Sequence, residues 1–549
     1  MLLEERKEKL KAWFKDKHNL VFLIILLAAF IIRLYFFIQT YNQPVWWDEG
    51  EYLSMAKSFA YGIKFDFNPQ RPPLYPALAA FLYLFNASEA VVRFLLALLP
   101  SLGLVIITYY LVKSLYNEKI ALITASLIAF YWDILFNTTR FHTDNLALLF
   151  GLLSIFVFWK YYVKEKNSKI IWLSGVFLAL GFMTRPSTAL IGAAFFIYLL
   201  LTENYKIVLK KELWLILLGF LIALAPLVLW NLHQFSTPLA QTSGYVTPAS
   251  LEQKSQHPIT WNLFTIFPIS LMPNNSYLGL ILFVFFFIGL ATFLNLILGF
   301  DIVLKNKSKE LNQDLLLVLL LIIPFSYFLF IERPVYGFEP RWLLIPVFSA
   351  FLIISKGFSK LDELLNKHIK FSGAIITILL VISIIPQVTY ANTIISEKKE
   401  SYLQVKEAAL WLKQHTSLGE QLYTQSATQT NYYSERYSRG MPGTYEEFVK
   451  EQEKNHARFF VVSMFEKHSE WTYTYPQQHP EEFTPVQVYM LNEQQPALMI
   501  YQYTPKSNPK ITSEKNSTTQ PINETTTALP ETTTTTTSLL ILENQSGSK

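Results

Sequence analysis

Residues 20–62 read LVFLIILLAAFIIRLYFFIQTYNQPVWWDEGEYLSMAKSFAYG, and the architecture follows from them. In residues 20–39 the one charge is Arg33, set in an apolar and aromatic run. A bilayer core takes about 20 helical residues, so this run is long enough to span one. The preceding MLLEERKEKLKAWFKDKH (1–18) is basic and amphipathic and has no small-residue cleavage site. The span therefore reads as retained, not as a removed signal peptide. From Tyr52, apolar residues recur at Met55, Ala56, Phe59 and Ala60, one face of a helix, until Gly62 stops it. The stretch predicts a span followed by a short helix along the membrane surface, with Asp48 and Glu49 at its N-terminus.

The whole chain matches this beginning. Of its 549 residues, 52% are hydrophobic and only 16% charged, against about 25% charged in soluble domains. A mean hydropathy of +0.27 over such a length requires many apolar stretches. Ten more candidate spans follow, at 89–112, 120–137, 144–162, 169–184, 186–202, 212–231, 277–300, 314–331, 341–355 and 370–387. The chain is thus read as a polytopic α-helical membrane protein of about eleven spans. Pro186 leaves open whether its two flanking runs are one kinked helix or two. A net charge of +5 gives no support to a nucleic-acid partner. The absence of Cys removes disulfides, thiolate metal sites and Cys nucleophiles.

Lys and Arg are biased to one side. With the N-terminus cytoplasmic, the inner segments hold 22 and the outer connections up to Arg341 hold 8. This orientation puts loops 40–88 and 232–276, and everything after Pro386, on the outer face. Residues 391–505 read as a soluble α/β domain, with helices at 402–415 and 444–455 and strands at 457–464, 486–491 and 497–503. Residues 506–549, with ETTTTTTS and sequons at Asn516, Asn523 and Asn544, read as a disordered Thr/Ser-rich tail.

The cations left on the outer side cluster at the boundary. Arg33 and Arg93 read as snorkelling side chains. Arg71, Arg185 and Arg341, where outer loops re-enter the membrane, read together as an anion site for a lipid-borne phosphate. Asp48 and Asp144 lie on the same side. Each also suits helix capping, and Glu51 three residues after Asp48 resembles a capping box.

The Asp48-Glu49 pair after the first span, then RPPLYP, then Arg93 opening the second span, resembles the C-type (GT-C) glycosyltransferase superfamily. Within it the likeness is to the branch of protein O-mannosyltransferases and lipid A aminoarabinose transferases. HTDNLAL with Asp144, LGFMTRPSTAL with Arg185 and FEPRWLLIPV with Arg341 extend it to about 500 residues. The resemblance implies a membrane enzyme that uses a polyprenyl- or dolichyl-phosphate sugar and an acceptor of protein, lipid or glycan at the outer face. It implies Asp48 as principal catalytic acid residue with Glu49 beside it, Asp144 as second acid, and Arg71, Arg185 and Arg341 on the donor phosphate. Gln70 stands where the aminoarabinose branch has a metal-binding Glu, which puts a metal in doubt. His233 and His257 are the remaining ligand candidates, so no cofactor is assigned. WWDEG resembles the WWDYG of oligosaccharyltransferases, but their signature sits in a C-terminal domain.

The chemistry is consistent with these roles. A lipid phosphate is a good leaving group, so the reaction needs cations to hold its charge and a base, Asp48, for the acceptor hydroxyl. Direct displacement inverts the anomeric carbon. Trp46, Trp47 and Tyr75 can stack on sugars or serve as interfacial belt residues. An oligosaccharyltransferase-like activity, a transporter and a surface anchor are the rival readings. Charges at one interface, an odd span count and a soluble domain argue against transport.

Overall fold

The first apolar run folds as α2 (Lys17–Gln39), N-capped by Asp16, after a short α1 (Leu2–Lys15). In the computed structural model, described for residues 2–165, 169–242, 271–273, 277–298, 309–332 and 339–505, Met1–Thr504 form one compact unit. His257, Lys254, Arg333, the three sequons and the Thr-rich tail lie outside the described residues.

Eight helices among the described residues are long and apolar enough to cross a membrane. The protein is a multi-pass membrane protein. Three of the eleven expected spans come out differently. The run at 120–137 is broken into α6 (Glu118–Phe130) and α7 (Trp132–Thr138), bent by 52° at Tyr131, whose backbone is extended. The runs at 169–184 and 277–300 form the shorter helices α9 (Trp172–Thr184) and α12 (Tyr277–Ala291). Pro186 separates two helices instead of kinking one. It pushes Arg185 into extended backbone (φ −151°, ψ 118°), ending α9 before α10 (Pro186–Glu203) begins.

The remaining elements of the membrane part are α3 (Trp47–Tyr61), α4 (Leu74–Tyr83), α5 (Glu89–Leu115), α8 (Asp144–Lys164), α11 (Lys211–Phe235), α13 (Leu311–Glu332), α14 (Pro340–Leu365) and α15 (Ser372–Lys398). Two interior arginines do not snorkel. Arg33 is fully buried and donates to Ser101 Oγ (2.8 Å), Ala29 O (3.1 Å) and Ala129 O (2.7 Å), tying α2 to α5 and α6. Arg93 donates to Thr40 O (3.0 Å), Thr139 O (3.2 Å) and Tyr41 O (2.5 Å), fastening the loops at the ends of α2 and α7. Ala129, at the end of α6, and Thr40, Tyr41 and Thr139, beyond the ends of α2 and α7, thereby have their carbonyls satisfied where a bilayer interior offers no water.

The boundary expected at 390 falls inside α15, which runs on to Lys398. After it comes a five-stranded mixed sheet of order β2-β1-β3-β5-β4: β1 (Gln421–Thr424), β2 (Tyr437–Arg439), β3 (Phe459–Ser463), β4 (Phe483–Met490) and β5 (Pro496–Tyr503). Strand β3 is buried on both faces. Phe459 and Val461 pack under α16 (Leu403–His415), and Phe460 and Val462 under α18 (Tyr445–Asn455), the period-two alternation of a central strand.

The sheet region clamps the helix at the start of the first loop. Helix α17 (Ala427–Ser434), between β1 and β2, lies so close to α3 that a Cβ on Gly50 would sit 2.8 Å from the Thr428 backbone. Tyr433 Oη accepts from Val45 N (2.9 Å), and Lys57 pairs with Glu435 (2.8 Å). On helix α3, Tyr52, Leu53 and Ala56 are buried in a core with Tyr432 and Tyr433 of α17 and residues of α4. Its apolar face is covered by protein, because the chain supplies a second layer after α15. Gly62 ends α3 in the left-handed region (φ 71°), as expected.

Candidate active site

Helix α3 opens in a way that settles which of its acids is a cap. The cap residue is Trp46, and Glu49 Oε2 accepts the Trp46 N–H at 2.7 Å. Glu49 Oε1 accepts Phe141 N (2.5 Å), and Arg140 Nη1 donates to Glu49 Oε2 at 3.2 Å. Both Glu49 and Arg140 have 1% exposed side chains. Arg140 also donates to Pro44 O (2.9 Å) and Lys398 O (2.8 Å), and lies 3.9 Å from the Trp46 ring centre. Glu49 is therefore a buried structural pivot. Expected beside Asp48 in catalysis, it lines neither of the cavities described below, because a carboxylate three residues after the cap turns back to the helix start.

Relieved of capping, the Asp48 carboxylate turns outward to the arginines. Arg71 Nη2 donates to its Oδ1 (2.6 Å) and Arg341 Nη2 to its Oδ2 (2.9 Å). Burial alone would raise the Asp48 carboxyl, but Arg71 and Arg341 outweigh it and hold it well below the usual carboxylate range. Arg71 is presented by an Asx turn, in which Asn68 Oδ1 accepts Gln70 N (2.9 Å), and its Nε donates to Glu51 Oε2 (2.6 Å). Glu51, read as a capping partner, is thus an arginine anchor.

Asp144 begins α8 with no side-chain cap bond. Its Oδ1 accepts from Arg185, at the helix break before Pro186, and its Oδ2 lies 3.8 Å from Arg341 Nη1. Arg341 sits in the turn Pro340–Leu343 that opens α14, where Pro suits the first helical position, and Glu339 takes its Nε. Residues 48, 71, 144, 185 and 341 thus form one alternating network of two acids and three arginines.

Two cavities meet at this network, sharing Asp48, His142, Glu339 and Arg341. The larger, about 610 Å³, holds Arg71, Arg185 and Arg341 at one end and Phe182, Ala189, Leu190, Phe328 and Trp342 along an apolar flank. The smaller, about 460 Å³, is walled by Trp46, Trp47, Trp132, Phe136 and Tyr402. Trp46 and Trp47 therefore line a cavity, although the Arg140 guanidinium already lies over the Trp46 ring. Tyr75 does not; it is fully buried, stacked on Phe141 (4.2 Å), and donates to Leu96 O (3.2 Å). Its expected contact with substrate is corrected to a packing role.

Sequence reading passed over Arg140, Glu339 and the row Asp133–Asn137–His142. Asp133 carried a usable signal, since an acid inside an apolar span is a functional candidate by default. Burial and Arg341 hold the His142 imidazole neutral.

The site does not fit a divalent cation. Both oxygens of Asp48 are taken by guanidiniums, Gln70 offers an amide where a carboxylate is needed, and three arginines repel a metal. His233 is exposed at the end of α11. The clusters of His and acids at ligand spacing among the described residues, Asp16–His18–Glu118 and His479–Glu481–Glu482, line neither cavity.

Residues 70–230 match the model of the dolichyl-phosphate-mannose-protein mannosyltransferase family. No curated protein sequence matches the chain. Among solved structures, ArnT from Cupriavidus metallidurans bound to undecaprenyl phosphate is similar at 11% identity and TM-score 0.60, over 88% of this chain and 97% of that one. The oligosaccharyltransferase AglB from Archaeoglobus fulgidus, in complex with an inhibitory peptide and a dolichol-phosphate, is similar at 14% identity and TM-score 0.51, over 80% and 69%. The arabinofuranosyltransferase AftD from Mycobacteria follows at 13% and 0.55, over 87% and 41%. The chain shares the fold of these three structures.

Proposed function

We propose that the protein is a glycosyltransferase that moves a sugar from a polyprenyl- or dolichyl-phosphate donor to an acceptor hydroxyl, with inversion. The observation that carries this reading is the convergence of Arg71, Arg185 and Arg341 on Asp48 and Asp144, in a cavity with an apolar flank. The guanidiniums take the donor phosphate and the flank takes the first part of the lipid. Two structural neighbours hold a polyprenyl phosphate, undecaprenyl phosphate in ArnT and dolichol-phosphate in AglB, which supports the donor class.

In the resting site Asp48 is a poor base, since two guanidiniums stabilise its ionised form. A donor phosphate competes for those same guanidiniums and leaves Asp48 free to accept a proton. The acceptor oxygen then bonds to the anomeric carbon, its proton passes to Asp48, and the sugar–phosphate C–O bond breaks with its electron pair going to the lipid phosphate. The arginines hold the charge that collects there.

Arg185→Ala and Arg341→Ala should each weaken binding of undecaprenyl phosphate, measured on purified protein. The expected loss is about 1.5–3 kcal/mol, the scale of a hydrogen bond to a charged group. Unchanged affinity in both variants would remove the donor-phosphate role. The orientation with loops and sheet region outside rests on the 22 to 8 cation bias. Protease added to intact cells should remove the region beyond about residue 400; full protection would reverse the orientation and move the site to the other face.

A further inference from the structure

The smaller cavity, which shares Asp48 and Arg341 with the larger one, has a polar and aromatic wall that the donor does not use. Its polar wall is a buried row. Asn137 Nδ2 donates to Asp133 Oδ1 (3.0 Å), and Asn137 Oδ1 meets His142 Nδ1 (2.8 Å). Asp133 is 3% exposed, and its Oδ2 has no hydrogen-bond partner among the described residues. The same holds for the buried Trp46 Nε1. Both residues line the cavity, and a buried acceptor and a buried donor left without partners are costly unless a ligand that reaches them supplies the partners.

The other walls are aromatic. Trp47 is exposed and offers ring surface, and Tyr402 stands at the junction of α15 and α16. Tyr402 is held at φ 68°, the left-handed region that an aromatic residue rarely adopts, with its ring 5.5 Å from that of Phe465 beyond β3. Such strain persists only where the surroundings enforce it, and it collects at ligand sites. The bend at Tyr131 presents the other side, because it turns α7 so that Trp132, Asp133, Phe136 and Asn137 all line the cavity.

We infer that this cavity binds the acceptor and that the acceptor is a carbohydrate. The inference rests on the donor reading above, since it needs Asp48 as the shared edge. A sugar matches the wall group by group. Its hydroxyls donate to Asp133 Oδ2 and accept from Trp46 Nε1, and its apolar C–H face lies on Trp47 and Tyr402. At about 460 Å³ the cavity is within the size range of small-ligand sites. Asp133 is a binding residue here and Asp48 the base.

The test uses the full chain in detergent and follows tryptophan fluorescence. The probes are a panel of gluco-, galacto-, manno- and arabino-trisaccharides, a peptide of residues 524–538 of the chain's own Thr-rich tail, and undecaprenyl phosphate. At least one trisaccharide should bind saturably and the peptide should not. Asp133→Asn, which keeps the oxygen that meets Asn137, and Tyr402→Ala should each weaken that trisaccharide roughly 10-fold or more, while undecaprenyl phosphate binds as to the parent. Binding of the peptide in place of every trisaccharide, with undecaprenyl phosphate still bound, overturns the carbohydrate assignment alone. Trisaccharide affinity unmoved by both variants overturns the cavity assignment. Failure of undecaprenyl phosphate itself strikes the donor reading, and the description of an acceptor cavity falls with it.

Discussion

Asp48→Asn should give a folded protein that binds undecaprenyl phosphate and transfers sugar at least about 100-fold more slowly, the usual scale for a lost general base. The substitution separates the two roles that the sequence leaves open for this residue. Asn caps a helix about as well as Asp, so a capping role would leave turnover near normal. The geometry already assigns the cap elsewhere, because Glu49 holds the Trp46 N–H. What Asn cannot do is take a proton at neutral pH. It also meets Arg71 and Arg341 without charge, so donor binding should hold or tighten as the competitor for those guanidiniums weakens. Turnover within a few-fold of the parent would return Asp48 to structure and leave Asp144 as the candidate base.

Glu49→Ala, one residue along, should act on stability and not on chemistry. It leaves Arg140, 1% exposed, without its carboxylate, and strips the partners from Trp46 N and Phe141 N. Removing one member of a buried ion pair costs about 3–5 kcal/mol. A large drop in the midpoint of thermal unfolding is the expected result, with Glu49→Gln falling between the variant and the parent. A Glu49→Ala protein that melts like the parent and yet has lost transfer would make Glu49 a catalytic group after all. The contrast between the two neighbours follows from their places on α3, one turned back to the cap and the other out to the arginines.

Hydropathy runs, the cation bias and the helix stop at Gly62 were legible in the sequence because each is local, while at Pro186 the sequence left a kink and a break both open. A lipid core selects long apolar helices whatever they pack against, and Pro removes a donor wherever it stands. The three arginines and two acids were also legible, because a charge kept at a membrane boundary is conspicuous. Tertiary structure alone decided which partner each charge takes. Asp48 and Arg341 are 293 residues apart, and no periodicity encodes such a meeting. It decided that Arg33 and Arg93 satisfy carbonyls of other helices, that Glu49 faces inward, and that α17 covers α3. The short β1 and β2 were missed for the same reason, since strands of four and three residues carry too few side chains to show alternation. The bend at Tyr131, which turns Asp133 into a cavity, has no Pro or Gly to announce it. An apolar run states that a segment is buried; only the neighbours that bury it determine where it breaks and what it faces.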